Sequence, residues 1–274
     1  MFMRVCLLFR HHAKRASCRL SPSYQCRVSP GARFSAMQAF SDNPWFRSLP
    51  EAQARALLDA AQPMKLGAGK VLYRQGDVLR PSVASFFGLA RGSMKLSILN
   101  SDGKEGILTV IEPGNWIGEV ALLDNTQRRA HNAIALEECE LAAVSARAFE
   151  ALMQDPDFAR AVAKLVAGRL RLAYEALAGQ TLQSMRQRVA RRLVMLAHGD
   201  ISQSTRGRMH VSTSQDNLAR MLGVSRPTLN KELQTLAKAG AIALRYGQIE
   251  ILDMQRLRVG GQLAVSDPTG QDDF

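Results

Sequence analysis

Between residues 63 and 147, short apolar runs alternate with glycine-bearing turns. The runs are 71–73 before Gly76-Asp77, 86–89 around Gly88, 94–99 after Gly92, and 107–111 after Asp102-Gly103, with Pro113-Gly114 closing the series. Strands at this spacing predict an antiparallel sandwich or barrel. Glycine suits its turns because tight hairpins demand positive φ. Ahead of it, residues 44–62 read as short helices: Leu49-Pro50-Glu51 is a helix start, and Ala54, Leu57, Leu58 and Ala61 make an apolar stripe. From about 148 to 180 the period becomes helical. Ala163, Val166, Leu170, Ala173 and Leu177 recur in steps of three and four, widened by Val162, Leu165 and Leu172. So narrow a seam suits a coiled coil between two copies of the chain; the alternative is packing of the helix against its own β domain.

The last third is helical again before it turns to strand. Residues 184–198 predict a helix with Val189, Leu193, Leu196 and Ala197 inward and Arg186, Arg188, Arg191 and Arg192 as a basic face. A loop over 199–209 follows. Then come helices at about 214–222 and 226–239, split by Gly223-Val224-Ser225, and β runs at 242–244 and 249–252 hinged at Tyr246-Gly247. After Leu257 the chain is rich in Gly, Asp and Pro and is expected to fray. The fold class is therefore α+β. It comprises an N-terminal antiparallel β unit (37–147), a long helix suited to pairing two copies (148–182) and a C-terminal helical unit closed by two β runs (183–256). A disordered tail over 257–274 completes it.

Charge sharpens this division. The 274 residues carry a net charge of +12. Residues 1–36 hold seven basic residues and no acid, 37–182 are balanced, and 183–258 hold thirteen basic against five acidic. A neutral half joined to a basic half suggests that the basic half meets a polyanion. The segment 1–36 has no periodicity. It is either a disordered extension, Arg-rich and acid-free like an organelle transit peptide, or sequence upstream of a start at Met37; the second reading is preferred. Cys6, Cys18 and Cys26 lie there, too widely spaced for a compact cluster, and Cys139 reads as a small buried strand residue, so no metal is expected. No run approaches the roughly 20 apolar residues of a membrane helix, so no membrane is expected.

Residues 211–236 carry the most specific pattern. Leu218, Met221 and Leu222 form the inner face of one helix, Gly223 takes the left-handed turn, and Val224 plugs the gap. Ser225 can cap the next helix, with Pro227 in its first turn and Leu229, Leu233 and Leu236 inward. Arg226, Asn230, Lys231 and Gln234 are left on a polar, basic face, the form of a recognition helix with a following wing. Arg226 can donate two hydrogen bonds to guanine, Lys231 can reach a base or a phosphate, and Ser225 and Thr228 suit a phosphate.

A second pattern spans Pro113-Gly-Asn-Trp-Ile-Gly118-Glu119-Val120-Ala121-Leu122-Leu123 and Gln127-Arg128-Arg129-Ala130. Gly118 permits close backbone approach. The turn through Val120 and Ala121 offers free N–H groups, Glu119 can accept from a vicinal diol, and Arg128 or Arg129 can pair with a phosphate. Together they form a phosphate-plus-sugar site.

With Gly69-Lys-Val-Leu-Tyr-Arg-Gln-Gly76-Asp77, Gly88…Gly92, Gly114…Gly118-Glu119-Val-Ala-Leu-Leu and Val224-Ser-Arg-Pro-Thr-Leu-Asn-Lys231 in this order, residues 45–255 resemble the Crp/Fnr family of bacterial transcription regulators. The resemblance implies a cytoplasmic homodimer on a near-palindromic operator in double-stranded DNA, with half-sites about one helical turn apart. It also implies a jelly-roll-like β-roll, a long dimerisation helix and a C-terminal winged helix-turn-helix, with an effector, cAMP or another cyclic nucleotide, in the β-roll and contact with RNA polymerase if the protein activates. Gly118 and Glu119 match the ribose end of the family's phosphate cassette. Arg128 has the spacing of kinase-type cassettes and Arg129 that of the cAMP-activated regulators. Ala130 departs from the small polar residue expected after the arginine, and Ala173-Tyr174 replace the Thr-Ser pair that holds adenine, leaving Tyr174 one bond to offer. Pro227 stands where those regulators carry a Glu, so the operator should differ from theirs at that base pair.

Other functions fit less well. No nucleophile elbow, P-loop, zinc-ligand spacing or paired catalytic carboxylates is present, and the five histidines are scattered, so an enzyme is not expected. A regulator whose β-roll is a ligand-free scaffold, or senses a non-nucleotide or redox signal, is the nearest alternative. A cyclic-nucleotide module without DNA function is more distant.

Overall fold

The structure, a computed structural model, describes residues 39–124, 126–199, 208–211, 213–245 and 248–261. The extension 1–36, the Tyr246-Gly247 hinge, most of the 199–209 loop and the chain after 261 lie outside the described residues. Helices α1 (Pro44–Arg47) and α2 (Glu51–Ala60) precede the strands β1 (Gln62–Leu66), β2 (Val71–Tyr73), β3 (Ala84–Arg91), β4 (Met94–Leu99), β5 (Glu105–Ile111) and β6 (Trp116–Ile117). The short helix α3 (Glu119–Leu123) is followed by β7 (Asn132–Ala135) and β8 (Cys139–Ser145). These strands make two antiparallel four-stranded sheets, β1-β8-β3-β6 and β2-β7-β4-β5.

Strand β3 shows how sequence becomes layers. Alternate residues of a strand face opposite sides, and both sides of β3 are covered. Phe87 and Leu89 point between the sheets, toward Met94, Ile111 and Ile117. Phe86 points to the helical side, where Phe40, Trp116, Phe149 and Phe158 gather. Gly88 shares that side because a Cβ there would lie 2.7 Å from both Phe40 and Trp116. This aromatic layer fixes α4 (Ala146–Met153) and the start of α5 (Pro156–Leu182) against the roll; the Phe149 and Phe86 rings meet with centres 5.0 Å apart.

The single helix expected over 148–182 is two. Asp155 accepts from the N–H groups of Asp157 and Phe158, and Pro156, with no N–H to continue the α4 ladder, sits in the first turn of α5. Helix α4 thus belongs to the roll. The 27 residues of α5 extend about 40 Å. Phe158, Ala161 and Val162 anchor its beginning, while Leu170, Tyr174 and Leu177 are 49%, 63% and 62% exposed farther along.

The C-terminal unit contains α6 (Met185–Ala197), β9 (His210–Val211), α7 (Gln215–Leu222), α8 (Arg226–Lys238), β10 (Ile242–Arg245), β11 (Gln248–Ile251) and α9 (Met254–Gly260), with its strands in the order β10-β11-β9. A capping box of Ser184 and Gln187 starts α6. Order continues past Leu257: Asp253 caps α9, and Leu257 is fully buried in the core beside Leu236. The unit is tied along β5. Glu105 bonds Lys95 (2.7 Å) and Arg220 of α7 (3.1 Å), Arg192 donates to the Leu108 carbonyl (3.1 Å), and Arg208 pairs with Glu112.

Candidate effector pocket and nucleic-acid interface

Helices α7 and α8 are joined with the expected chemistry. Ser214 caps α7 by accepting from the Asn217 N–H, and Gly223 ends it at φ 67°. The Val224 N–H then returns to the Ala219 carbonyl (3.0 Å). Ser225 accepts from the Thr228 N–H and caps α8, and the two hydroxyls lie 2.8 Å apart. Leu229, Leu233 and Leu236 are buried, which rotates Arg226, Pro227, Thr228, Asn230, Lys231 and Gln234 outward together. All of the helix residues singled out from the sequence therefore share one exposed face with Ser225 at its end.

The basic face assigned to α6 is different. Arg186 bonds Glu232 of α8, Arg188 donates to the Leu222 carbonyl at the end of α7, Arg191 bonds Glu175 of α5, and Arg192 reaches Leu108. These four cations tie separate elements together, and two of them, Arg186 and Arg191, are paired with carboxylates.

The pocket groups converge between β2, β3, α3 and the segment before β7. Gly118, at φ 109°, is the left-handed residue before α3. A Cβ on it would lie 2.1 Å from the Ser85 carbonyl oxygen, so only glycine fits. Glu119 is 2% exposed; one carboxylate oxygen pairs with Arg169 of α5, and the other is buried without a partner. Arg169 also donates to the Trp116 carbonyl. Ala121 is buried and Val120 is exposed.

The two arginines separate cleanly. Asp124 accepts from the N–H groups of Thr126 and Gln127, forming the turn that leads into them. The Arg129 backbone is clamped to the β2 turn: its carbonyl accepts from the Gly76 N–H (2.8 Å), and its N–H donates to the Asp77 carbonyl (2.9 Å). Arg129 points in, 5% exposed, donating to the Ser85 carbonyl (2.8 Å) and the Gly118 carbonyl (3.4 Å). Its guanidinium lies 4.1 Å from the centre of the Tyr73 ring. Burial lowers its pKa, against which Tyr73, Asp77 and Glu119 act. Arg128 is exposed and donates to the Gly76 carbonyl, and Ala130 is exposed. Tyr174 stands on the outward seam of α5 beside Leu170 and Leu177, not among the buried polar groups.

Three groups of this cluster escaped the sequence reading. Tyr73 reads as part of an apolar run, His131 as one of five scattered histidines, and nothing local in the sequence assigns Arg169 to the pocket. The arginine's partner is fifty positions away, and no local spacing announces it. Among the described residues no group of three or more His, Cys, Asp or Glu is placed to hold a metal. Cys139 is a free, buried thiol bonded to the Ser93 carbonyl (3.4 Å), its pKa raised by burial. No described helix is long and apolar enough to cross a membrane.

A β-roll with this cassette, joined to a capped helix-turn-helix, defines a transcription regulator of the cyclic-nucleotide-binding type. Comparison with known proteins agrees. Residues 63–155 match the cyclic nucleotide-binding domain and residues 187–259 the Crp-like helix-turn-helix domain. The cyclic AMP receptor protein of Thermus thermophilus is 30% identical over 210 residues, covering 76% of this chain and 92% of that protein. A CRP-like cAMP-activated global transcriptional regulator of Mycobacterium tuberculosis is 26% identical over 215 residues, covering 77% and 93%. The crystal structure of a CRP/FNR-family transcriptional regulator from Thermus thermophilus superposes with a TM-score of 0.59 at 25% identity, covering 73% of this chain and 98% of that one. FixK2 of Bradyrhizobium japonicum shares the fold with a TM-score of 0.62 at 21% identity, covering 73% and 96%. The chain belongs to the Crp/Fnr family of transcription regulators, and its relatives are regulators, not enzymes.

Proposed function

We propose that the protein is a homodimeric, sequence-specific DNA-binding regulator whose β-roll takes a cyclic nucleotide and thereby sets the DNA affinity of the helix-turn-helix. The observation that carries this reading is the Glu119–Arg169 pair, which joins the pocket to the long helix α5. A ribose diol bonded to Glu119 would share the carboxylate with Arg169, so ligand in the pocket alters a contact made by α5. Arg129, fixed inside, would meet the cyclic phosphate, and Val120 and Ala121 would close the sugar end. The exposed seam of Ala163, Leu170, Ala173 and Leu177 supports pairing of α5 with a second copy. Two copies of α8 would then present Arg226 and Lys231 to two half-sites, with Ser225 and Thr228 at the flanking phosphate. The nucleotide shifts the equilibrium only if it binds the DNA-competent dimer better than the other state.

A second reading has its own support. Arg129 already donates to two carbonyls, and Arg169 already holds Glu119, so a ligand-free roll satisfies much of its own polarity. Sedimentation of the full chain, followed by selection of bound sites from random duplex DNA with and without cAMP, tests both. A dimer that enriches a near-palindrome only with cAMP supports gating. The same enrichment without nucleotide supports the scaffold, and a monomer overturns the dimer.

A further inference from the structure

The buried polar cluster contains a donor that the proposed function leaves idle. Tyr73 is 6% exposed, and its hydroxyl oxygen is sealed from solvent with no hydrogen-bond partner. A buried hydroxyl in that state is destabilising, and such orphans ask for a reason. The neighbours do not answer it. Arg129, stacked on the ring, carries only donors. His131, with ring centre 5.6 Å away, has Nδ1 engaged at the Asn132 carbonyl (3.3 Å). Burial pushes the Tyr73 pKa up, so the group stays a protonated donor. Around it stand the guanidinium groups of Arg129 and Arg169 and the carboxylate of Glu119, with Asp77 also acting on Arg129. Its position is fixed as well, because the turn after β2 is bonded through Gly76 and Asp77 to the backbone of Arg129.

We propose that Tyr73 is a phosphate-binding residue of the effector pocket, its hydroxyl donating to a cyclic phosphate oxygen beside Arg129. It would supply the hydrogen bond that Ala130 lacks. This rests on the nucleotide reading above, and it gives the chain a phosphate site of its own composition: a buried arginine lying on a tyrosine ring, with that tyrosine's hydroxyl as second donor.

The test is calorimetric titration of cAMP into the full chain, wild type and Tyr73→Phe, with thermal melts of both without nucleotide and the phosphorus-31 resonance of bound cAMP in each. Tyr73→Phe should weaken cAMP by about tenfold or more, the loss expected for one hydrogen bond to a charged acceptor. It should move the phosphorus resonance and leave the nucleotide-free melting temperature equal or higher, since only an orphan has been removed. Unchanged cAMP affinity, or an unmoved phosphorus resonance, overturns the role of Tyr73 and leaves the nucleotide reading standing. A variant that melts lower without nucleotide also overturns it, because the hydroxyl then has a structural partner. Folded wild type that binds no cAMP overturns both readings.

Discussion

Gly118 and Gly223 both adopt positive φ, 109° and 67°, but their surroundings differ, and alanine at each should separate backbone strain from steric exclusion. At Gly223 a Cβ meets nothing within 4 Å, so Gly223→Ala carries only the left-handed penalty of roughly 1–2 kcal/mol. At Gly118 the Cβ would lie 2.1 Å from the Ser85 carbonyl oxygen and 3.0 Å from the Arg129 guanidinium. Ser85 sits in β3 where its register with β8 shifts, and its carbonyl already accepts from Arg129, so it cannot retreat without loosening that bond. Relief requires about an ångström of separation, and overpacking of that kind costs roughly 1–3 kcal/mol beyond the strain. It also pulls apart the two carbonyls that Arg129 bridges. Gly118→Ala should therefore destabilise the β-roll by about 2–5 kcal/mol, the sum of left-handed strain and overpacking. Urea denaturation resolves the two sites. Both tryptophans, Trp45 and Trp116, lie in the roll and report it by fluorescence, while circular dichroism reports the helical C-terminal unit. A Gly118→Ala cost no larger than that of Gly223→Ala would refute the steric reasoning.

Three further outcomes are expected. Ser225→Ala removes the side-chain cap of α8 and should lower the stability of the C-terminal unit by about 1 kcal/mol, read from the same dichroism transition. Burial holds His131 below its ordinary value of 6.5, against the raising effects of the Asn132 carbonyl and Glu119. The unfolded chain then takes up its proton first, so stability should decline as pH falls below about 6.5, and His131→Gln should flatten denaturation midpoints between about pH 7 and 5; a variant with the wild-type slope contradicts this. Arg226→Ala should cost the selected operator about 1–3 kcal/mol while barely changing affinity for random duplex, measured by fluorescence anisotropy, and equal losses on both would assign Arg226 to phosphate.

Much of this architecture was legible in the sequence for definable reasons. The helix-turn-helix is local. Gly223, Ser225 and Pro227 act within a few residues of themselves, and Leu229, Leu233 and Leu236 mark the buried face by spacing alone. The strands were legible because positive-φ glycines punctuate them. What could not be read depends on distant partners. The four arginines of α6 looked like one solvent-facing patch, yet each ends on a different element, at Glu232, Leu222, Glu175 and Leu108. The break at Asp155-Pro156 was written in the sequence as a cap followed by proline, but the apolar rhythm continues across it and masks it. That Arg129 is buried and Arg128 exposed depends on the backbone ladder with Gly76 and Asp77, which no local spacing shows. Glu119 was identified from its cassette, but its partner Arg169 lies on another element and shows no periodicity with it.

The most direct measurement is the affinity of the full chain for its own selected operator, by fluorescence anisotropy at fixed salt, with and without saturating cAMP, in wild type and in Glu119→Ala. If the pocket and the recognition helix are two ends of one switch, cAMP tightens wild-type binding by about tenfold or more, the scale of a typical coupling between sites, and leaves Glu119→Ala unmoved. Wild-type affinity that is indifferent to cAMP, or a response that survives in Glu119→Ala, would contradict it.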